Sequence, residues 1–374
     1  MKKLTILFSI VFIFNFCKKE KEVDDVPDVP ISWTKTFGGT DWDGGSSVQQ
    51  TTDGEYIIAG STSSLGNEDV YLIKTDENGD SLWTKTFGGG GSSVQKTADG
   101  GYIIAGSTSS SGNDDVCLIK TDQSGNEQWL KTFGGTEWDM GNSVQQTNDD
   151  GYIIAGSTSS FGNGGPDVYL IKTDVNGDSL WTKTFGGAYY DVGSSVQQTS
   201  DGGYIICGCT NSFGNGLPDC YLYLIKTDEN GDLLWTKTFG GTHLDDDDKG
   251  NSIQQTTDGG YIITGWIHRG VYDNGYDVFL IKTDGSGNEQ WTKTFGGTEN
   301  DSGNSVQQTT DGGYIICGNT ESFGNGGSDI YLIKTDGSGN EQWFKTFGGV
   351  NGESGSSVQQ TTDGGYIICG NTES

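Results

Sequence analysis

The chain holds two histidines and one arginine, His243, His268 and Arg269. A nucleophilic triad or a His-based metal site needs an imidazole held against an acid or a second ligand. Either would have to be built around these three residues. His243, His268 and Asp246 have the residue types for a metal, but their spacing matches no recognised ligand pattern, so the metal assignment stays open. The neighbouring run Asp245 to Asp248 followed by Lys249 reads as solvated charge. Acids are abundant: 51 Asp and Glu stand against 21 Lys and Arg, for a net charge of −30. That charge repels phosphate backbones and excludes nucleic acid as a partner. Glycoside cleavage needs two carboxyl groups about 5–10 Å apart. Asp41, Asp43, Glu137 and Asp139 are candidates, and nothing selects a pair, so no catalytic residue is assigned. The Asp-x-Asn-Gly-Asp segments at 76–80, 174–178 and 228–232 lack the twelve-residue spacing and closing Glu of a calcium loop. They read as hairpin turns, with weak Ca²⁺ binding as the one cofactor they leave room for.

The cysteines divide by position. Met1-Lys2-Lys3 and the apolar run Leu4 to Phe14 have the order of a secretory signal, too short to span a bilayer. Cys17 follows, and the arrangement resembles a bacterial lipoprotein signal, although Phe14 and Phe16 stand where a Leu and a small residue are preferred. The expected organisation is a signal over 1–16, an acylated Cys17 and tether over 17–32, and repeats over 33–374. Cys207, Cys317 and Cys369 fill a slot taken by Ala59, Ala105, Ala155 and Thr264 in other repeats, as buried thiols would. Cys209 and Cys220 flank one loop and either pair or remain thiols.

The elements that position these residues recur. Trp-x-Lys-Thr-Phe-Gly-Gly, with Leu130 or Phe344 replacing the first Thr in two copies, starts at Trp33, Trp83, Trp129, Trp181, Trp235, Trp291 and Trp343, at spacings of 46 to 56. Each copy leads into Ser-Val-Gln-Gln or a close variant (strand a), an Asp-Gly or Asp-Asp-Gly turn, and Tyr-Ile-Ile-x-Gly (strand b). Val-Tyr-Leu-Ile-Lys (strand c) and Leu-Trp-Thr-Lys-Thr-Phe (strand d) follow. Strands b and c are apolar on both faces, so both faces of their sheet are covered. With 63 Gly in 374 residues and 11% aromatics, the pattern predicts an all-β fold: one β-propeller of about seven four-stranded blades. The last repeat has no strand c after Tyr366 to Gly370, and Trp33 to Phe37 supplies its strand d. Either the ring closes with a gap or the chain is part of a longer protein; the second is preferred, because a bare apolar edge invites aggregation.

This repeat resembles a family of secreted bacterial and archaeal repeat proteins, on the motif W-x-K-T-F-G-G … D-G-G-Y-I-I-x-G … Y-L-I-K-T-D over residues 33–374. The resemblance implies a propeller carried as a lipoprotein or surface module. Members carry lectin-like and glycosidase-like labels without an evident active site, so chemistry is not implied.

Strand alternation puts the a–b and c–d turns on one rim and the d–a and b–c loops on the other. The first rim barely varies. The second carries the variation, and binding residues gather on variable loops over a rigid scaffold. The expected ligand site is therefore Trp42, Asp43, Trp138, Asp139, Tyr189, Tyr190, Asp191, His243 and His268. Rings would stack on sugars or partner side chains, and acids would accept hydrogen bonds. The preferred function is a non-enzymatic surface module recognising an extracellular glycan or protein. The alternative is a glycoside hydrolase-like enzyme using rim acids. The chain is expected to be exported, to touch membrane only through a lipid on Cys17, and to be a monomer if the ring closes.

Overall fold

A computed structural model describes residues 8–14, 31–64, 68–109, 113–214, 220–240, 248–269 and 275–373, and every regular element among them is a strand. Six four-stranded antiparallel sheets are each built from one stretch of chain in the order a, b, c, d. The third is typical: Asp139–Gln146, Tyr152–Thr158, Asp167–Thr173 and Ser179–Phe185. Strands b and c are buried along their whole length there, while strand d alternates between exposed and half-buried.

The expectation of about seven blades, the last without a strand c, is corrected to six, plus one sheet assembled from both chain ends. In that composite sheet Glu353–Gln360 and Tyr366–Thr372 are strands a and b, and Ile31–Phe37 is strand d. The strand c position is not vacant. Phe8–Phe14 lies between b and d, antiparallel to both, with Ile10 opposite Gly370 on one side and Thr36 on the other. The sequence reason is plain: Phe-Ser-Ile-Val-Phe-Ile-Phe is an apolar, β-branched and aromatic run, the composition of a strand covered on both faces. The edge of Tyr366–Thr372 that was expected to be bare is therefore paired. Cys17 and the tether lie outside the described residues.

The core lies between blades. In one cluster Ile103, Ala105, Val116 and Leu118 of the second blade pack on Val144, Tyr152, Ile154 and Ile171 of the third. The recurring motif residues make this junction. The Trp of each strand d meets the first Tyr of the next strand b, as in Trp181 on Tyr204 at 5.9 Å between ring centroids, and all seven pairs form. The Lys two residues on reaches the next c–d turn, as in Lys183 Nζ to Asp232 Oδ1 at 2.8 Å. The turn glycine must be glycine: Gly231 has φ +75°, and a Cβ there would lie 2.7 Å from the Trp181 ring.

Around the axis, the penultimate Gln of each strand a accepts the backbone N–H of the last residue of the next strand a. Seven such bonds, from Gln50 N to Gln359 Oε1 through Gln360 N to Gln307 Oε1, close the circle. These glutamines and the seven Val or Ile beside them line an axial cavity of about 250 Å³. Nothing within a single repeat marks the Gln-Gln pair for this role.

The third a–b turn holds the one non-glycine residue with positive φ among the described residues, Asp150 at +64°. Glycine occupies the corresponding place in the other turns, as at Gly100 and Gly202. An L-residue pays roughly 1 kcal/mol for this region. Asp150→Gly is therefore expected to stabilise the chain by up to about 1 kcal/mol, measured by urea unfolding.

Candidate functional site

The varied rim is built on a repeated frame. The carbonyl of the residue before strand a accepts a backbone N–H from the b–c loop: Ser63 to Trp42, Ser159 to Trp138, Asn211 to Tyr190, Glu321 to Asn300. Trp42, Trp138 and Tyr190 are thus the same position in three blades. Their side chains are 45%, 56% and 48% exposed, with Tyr189 beside them at 48%. The backbone is fixed and the rings face water. Further round, Phe161 and Phe213 of the b–c loops cap the rings of Tyr169 and Tyr223 at 5.7 Å.

The acids expected beside these rings behave differently. Asp43, Asp139 and Asp191 have no exposed surface. Each Oδ2 accepts from the d–a loop and from a b–c serine: for Asp139, Gly135 N at 2.9 Å and Ser160 Oγ at 2.7 Å. Asp191 Oδ1 also takes the Thr210 hydroxyl. This is a correction: they tie the two loops together and lie beneath the surface of the rim. Asp41 and Glu137, one residue earlier than the rings, are exposed, as are Glu299, Glu321 and Glu68 on the same rim. His268 ends a strand b, and its N–H donates to Asp248 Oδ1 at 3.0 Å. His243 and Asp246 lie outside the described residues, as does most of the acidic run. Asp248 itself is buried, not solvated.

A second set of acids was missed. Strand c opens with Asp115, Asp167, Asp277 or Asp329 near its start, and each approaches the strand-a acid of the next blade. Burial, with the neighbouring carboxylate adding to it, raises Asp115, Asp167 and Asp329 from their ordinary value. The available signal was the Asp that recurs before Val-Tyr-Leu. Its partner lies in a different repeat, so spacing within one repeat did not expose the pair.

Among the described residues no group of three or more His, Cys, Asp or Glu converges on one point. Cys209 and Cys220, left open by the sequence, are joined as a disulfide with Cα atoms 5.7 Å apart. It pins the ends of the longest b–c loop of the first four blades. Cys207, Cys317 and Cys369 are buried thiols, as expected from their slot.

No family model matches the chain. Regulatory protein FlaEY of Caulobacter vibrioides is 25% identical over 229 residues, which span 53% of this chain and 24% of that protein. The chain thus covers about a quarter of that relative's length. Among solved structures, the WD40 domain of Pan2 from Neurospora crassa is similar at a TM-score of 0.52 and 11% identity, over 87% of this chain and 88% of that one. BamB from Moraxella catarrhalis aligns at a TM-score of 0.46 and 12% identity, over 91% and 88% of the two chains. The Pan2 likeness is one of fold, and agrees with the propeller read from the repeats.

Proposed function

We propose that this protein is a non-enzymatic recognition module whose ligand, an extracellular glycan or a protein surface, lies on the rim of d–a and b–c loops. The observation that carries the reading is the repeated position Trp42, Trp138 and Tyr190: three large rings, about half exposed, on a backbone held by hydrogen bonds to the adjoining loop. Aromatic faces present apolar area at little entropic cost and suit sugar rings or partner side chains. An enzyme on the same rim is less well supported, because two of its four candidate acids, Asp43 and Asp139, are buried and hydrogen-bonded to the scaffold. The less varied rim uses turn residues in blade-to-blade contacts, as in Lys183 with Asp232, whereas the varied rim presents its rings to solvent. A glycan array run beside a hydrolysis screen tests this. Binding without turnover supports it. Saturable turnover lost on changing Asp41 or Glu137 to Asn or Gln would replace it with the enzyme reading.

Display outside the cell through a lipid on Cys17 belongs to the same proposal. Its support is the apolar run meeting a cysteine. Processing there would remove Phe8–Phe14 and free the strand c position of the composite sheet. Labelling with a fatty-acid analogue is expected to mark the wild type and not Cys17→Ala; equal labelling of both would end the lipid anchor.

A further inference from the structure

We infer that the blade junctions beneath the aromatic rim are calcium sites, each formed by two carboxylates from successive blades around the first glycine of Phe-Gly-Gly. At the junction of the third and fourth blades, a Cβ on Gly186 would lie 1.9 Å from Asp167 Oδ1 and 2.6 Å from Asp191 Oδ2. The two oxygens are thus no further apart than about two calcium–oxygen bonds of 2.3–2.6 Å. The same construction recurs around Gly134 with Asp115 Oδ1 and Asp139 Oδ2, and around Gly348 with Asp329 Oδ1 and Glu353 Oε2. Two anionic oxygens do not rest this close out of water without something between them.

Two further observations point to what that is. Asp167 is 2% exposed, its Oδ2 accepts from Asn163 N at 2.7 Å, and its Oδ1, the oxygen turned to Asp191, has no hydrogen-bond partner. Asp115 Oδ1, turned to Asp139, is orphaned in the same way. The junction of the fifth and sixth blades has a cation of the chain's own beside its acids. Asp277 Oδ1 and Asp301 Oδ2 converge on Gly296 there. The chain's one arginine places Arg269 Nη1 3.5 Å from that same Asp277 Oδ1, and its guanidinium donates to the carbonyls of Gly297 and Thr298. A built-in cation thus lies beside one acid of this pair, where the other three junctions have none from the chain among the described residues.

Calcium suits the remaining junctions by its donors. All are hard oxygens, two carboxylates with loop carbonyls and water completing six to eight ligands, and no imidazole or thiolate takes part. With two charges per site the affinity belongs to the weak range of extracellular modules, about 10⁻⁴–10⁻³ M. The ion would brace the loops that carry Trp138 and Tyr190, one residue before Asp139 and Asp191.

The test is calcium titration of the chelator-stripped full chain, by calorimetry and by thermal melting at neutral pH. Three equivalents are expected, with a rise in melting temperature. Asp167→Asn, which keeps the shape, is expected to remove one equivalent, and Arg269→Ala to add one. Magnesium is expected to replace calcium poorly. The inference is overturned if millimolar calcium gives neither heat nor a melting shift, which would leave the acid pairs sharing protons. It is equally overturned if calcium binds with a stoichiometry that neither variant changes, which would place the ions on the exposed turns.

Discussion

Gly156→Ala is expected to destabilise the ring by about 3 kcal/mol or more, the upper end for overpacking, although it adds one methyl group. Strand a shifts register between Gly141 and Ser143, which pushes its backbone toward strand b. A Cβ on Gly156 would stand 1.8 Å from the Met140 carbonyl oxygen. That atom is backbone inside a paired strand and cannot rotate away. The same contact recurs at Gly60, Gly106, Gly208, Gly265 and Gly318, which accounts for the invariant Gly of Tyr-Ile-Ile-x-Gly. Gly312→Ala is the control. Its φ is +83° with nothing within 4 Å, so it should cost only the left-handed conformation, roughly 1–2 kcal/mol. Urea unfolding of both variants compares them. Equal losses would mean that the bulge does not bring the strands this close.

The second large effect concerns the buried lysines of strand c, and it is asymmetric. Lys226 is 3% exposed. Its Nζ lies 3.0 Å from Asp201 Oδ2 and donates to the Thr227 carbonyl at 2.9 Å. Asp201 is 59% exposed. Asp201→Ala strands an ammonium in the junction and is expected to cost about 3 kcal/mol. Lys226→Met leaves a carboxylate already in water and a side chain that fits an apolar wall, so its cost should be about 1 kcal/mol or less. The pairs also set an acid limit. Burial draws these turn carboxyls up, but the neighbouring Thr hydroxyl, backbone N–H groups and Lys outweigh it. Asp201 falls below its ordinary value, and Asp53 and Asp258 fall to about 2. A carboxyl depressed in the folded state contributes stability above its unfolded value near 3.9, and loses it as pH falls toward 2. The ring should therefore be stable to about pH 4 and weaken below it. Lys226→Met should soften that loss at its own turn. A variant pair with equal costs, or an acid limb unmoved by Lys226→Met, would contradict the pairing.

The blades were legible because their signals are local. Strand periods, Asp-Gly turns and the small-residue slot of Cys207 all lie within one repeat. What was missed depends on contacts between repeats. Asp139 and Glu137 are both acids of one loop, yet the strand begins between them and buries only the first. Gln95 looks like any exposed strand residue until the next blade offers it an N–H at 2.5 Å. The composition of Phe8–Phe14 fits a leader and a strand alike, so its pairing with Tyr366–Thr372 had no separate mark in the sequence.

The rim is tested most directly by the triple variant Trp42→Ala, Trp138→Ala, Tyr190→Ala. Its affinity for the strongest array ligand is measured by equilibrium titration beside its melting curve. These rings are about half exposed and are not part of the Trp–Tyr junctions. The expected result is an unchanged melting temperature with affinity weakened about tenfold or more, the loss of buried aromatic anchors from an interface. Unchanged affinity in a variant that folds as well as the wild type would contradict recognition by this rim.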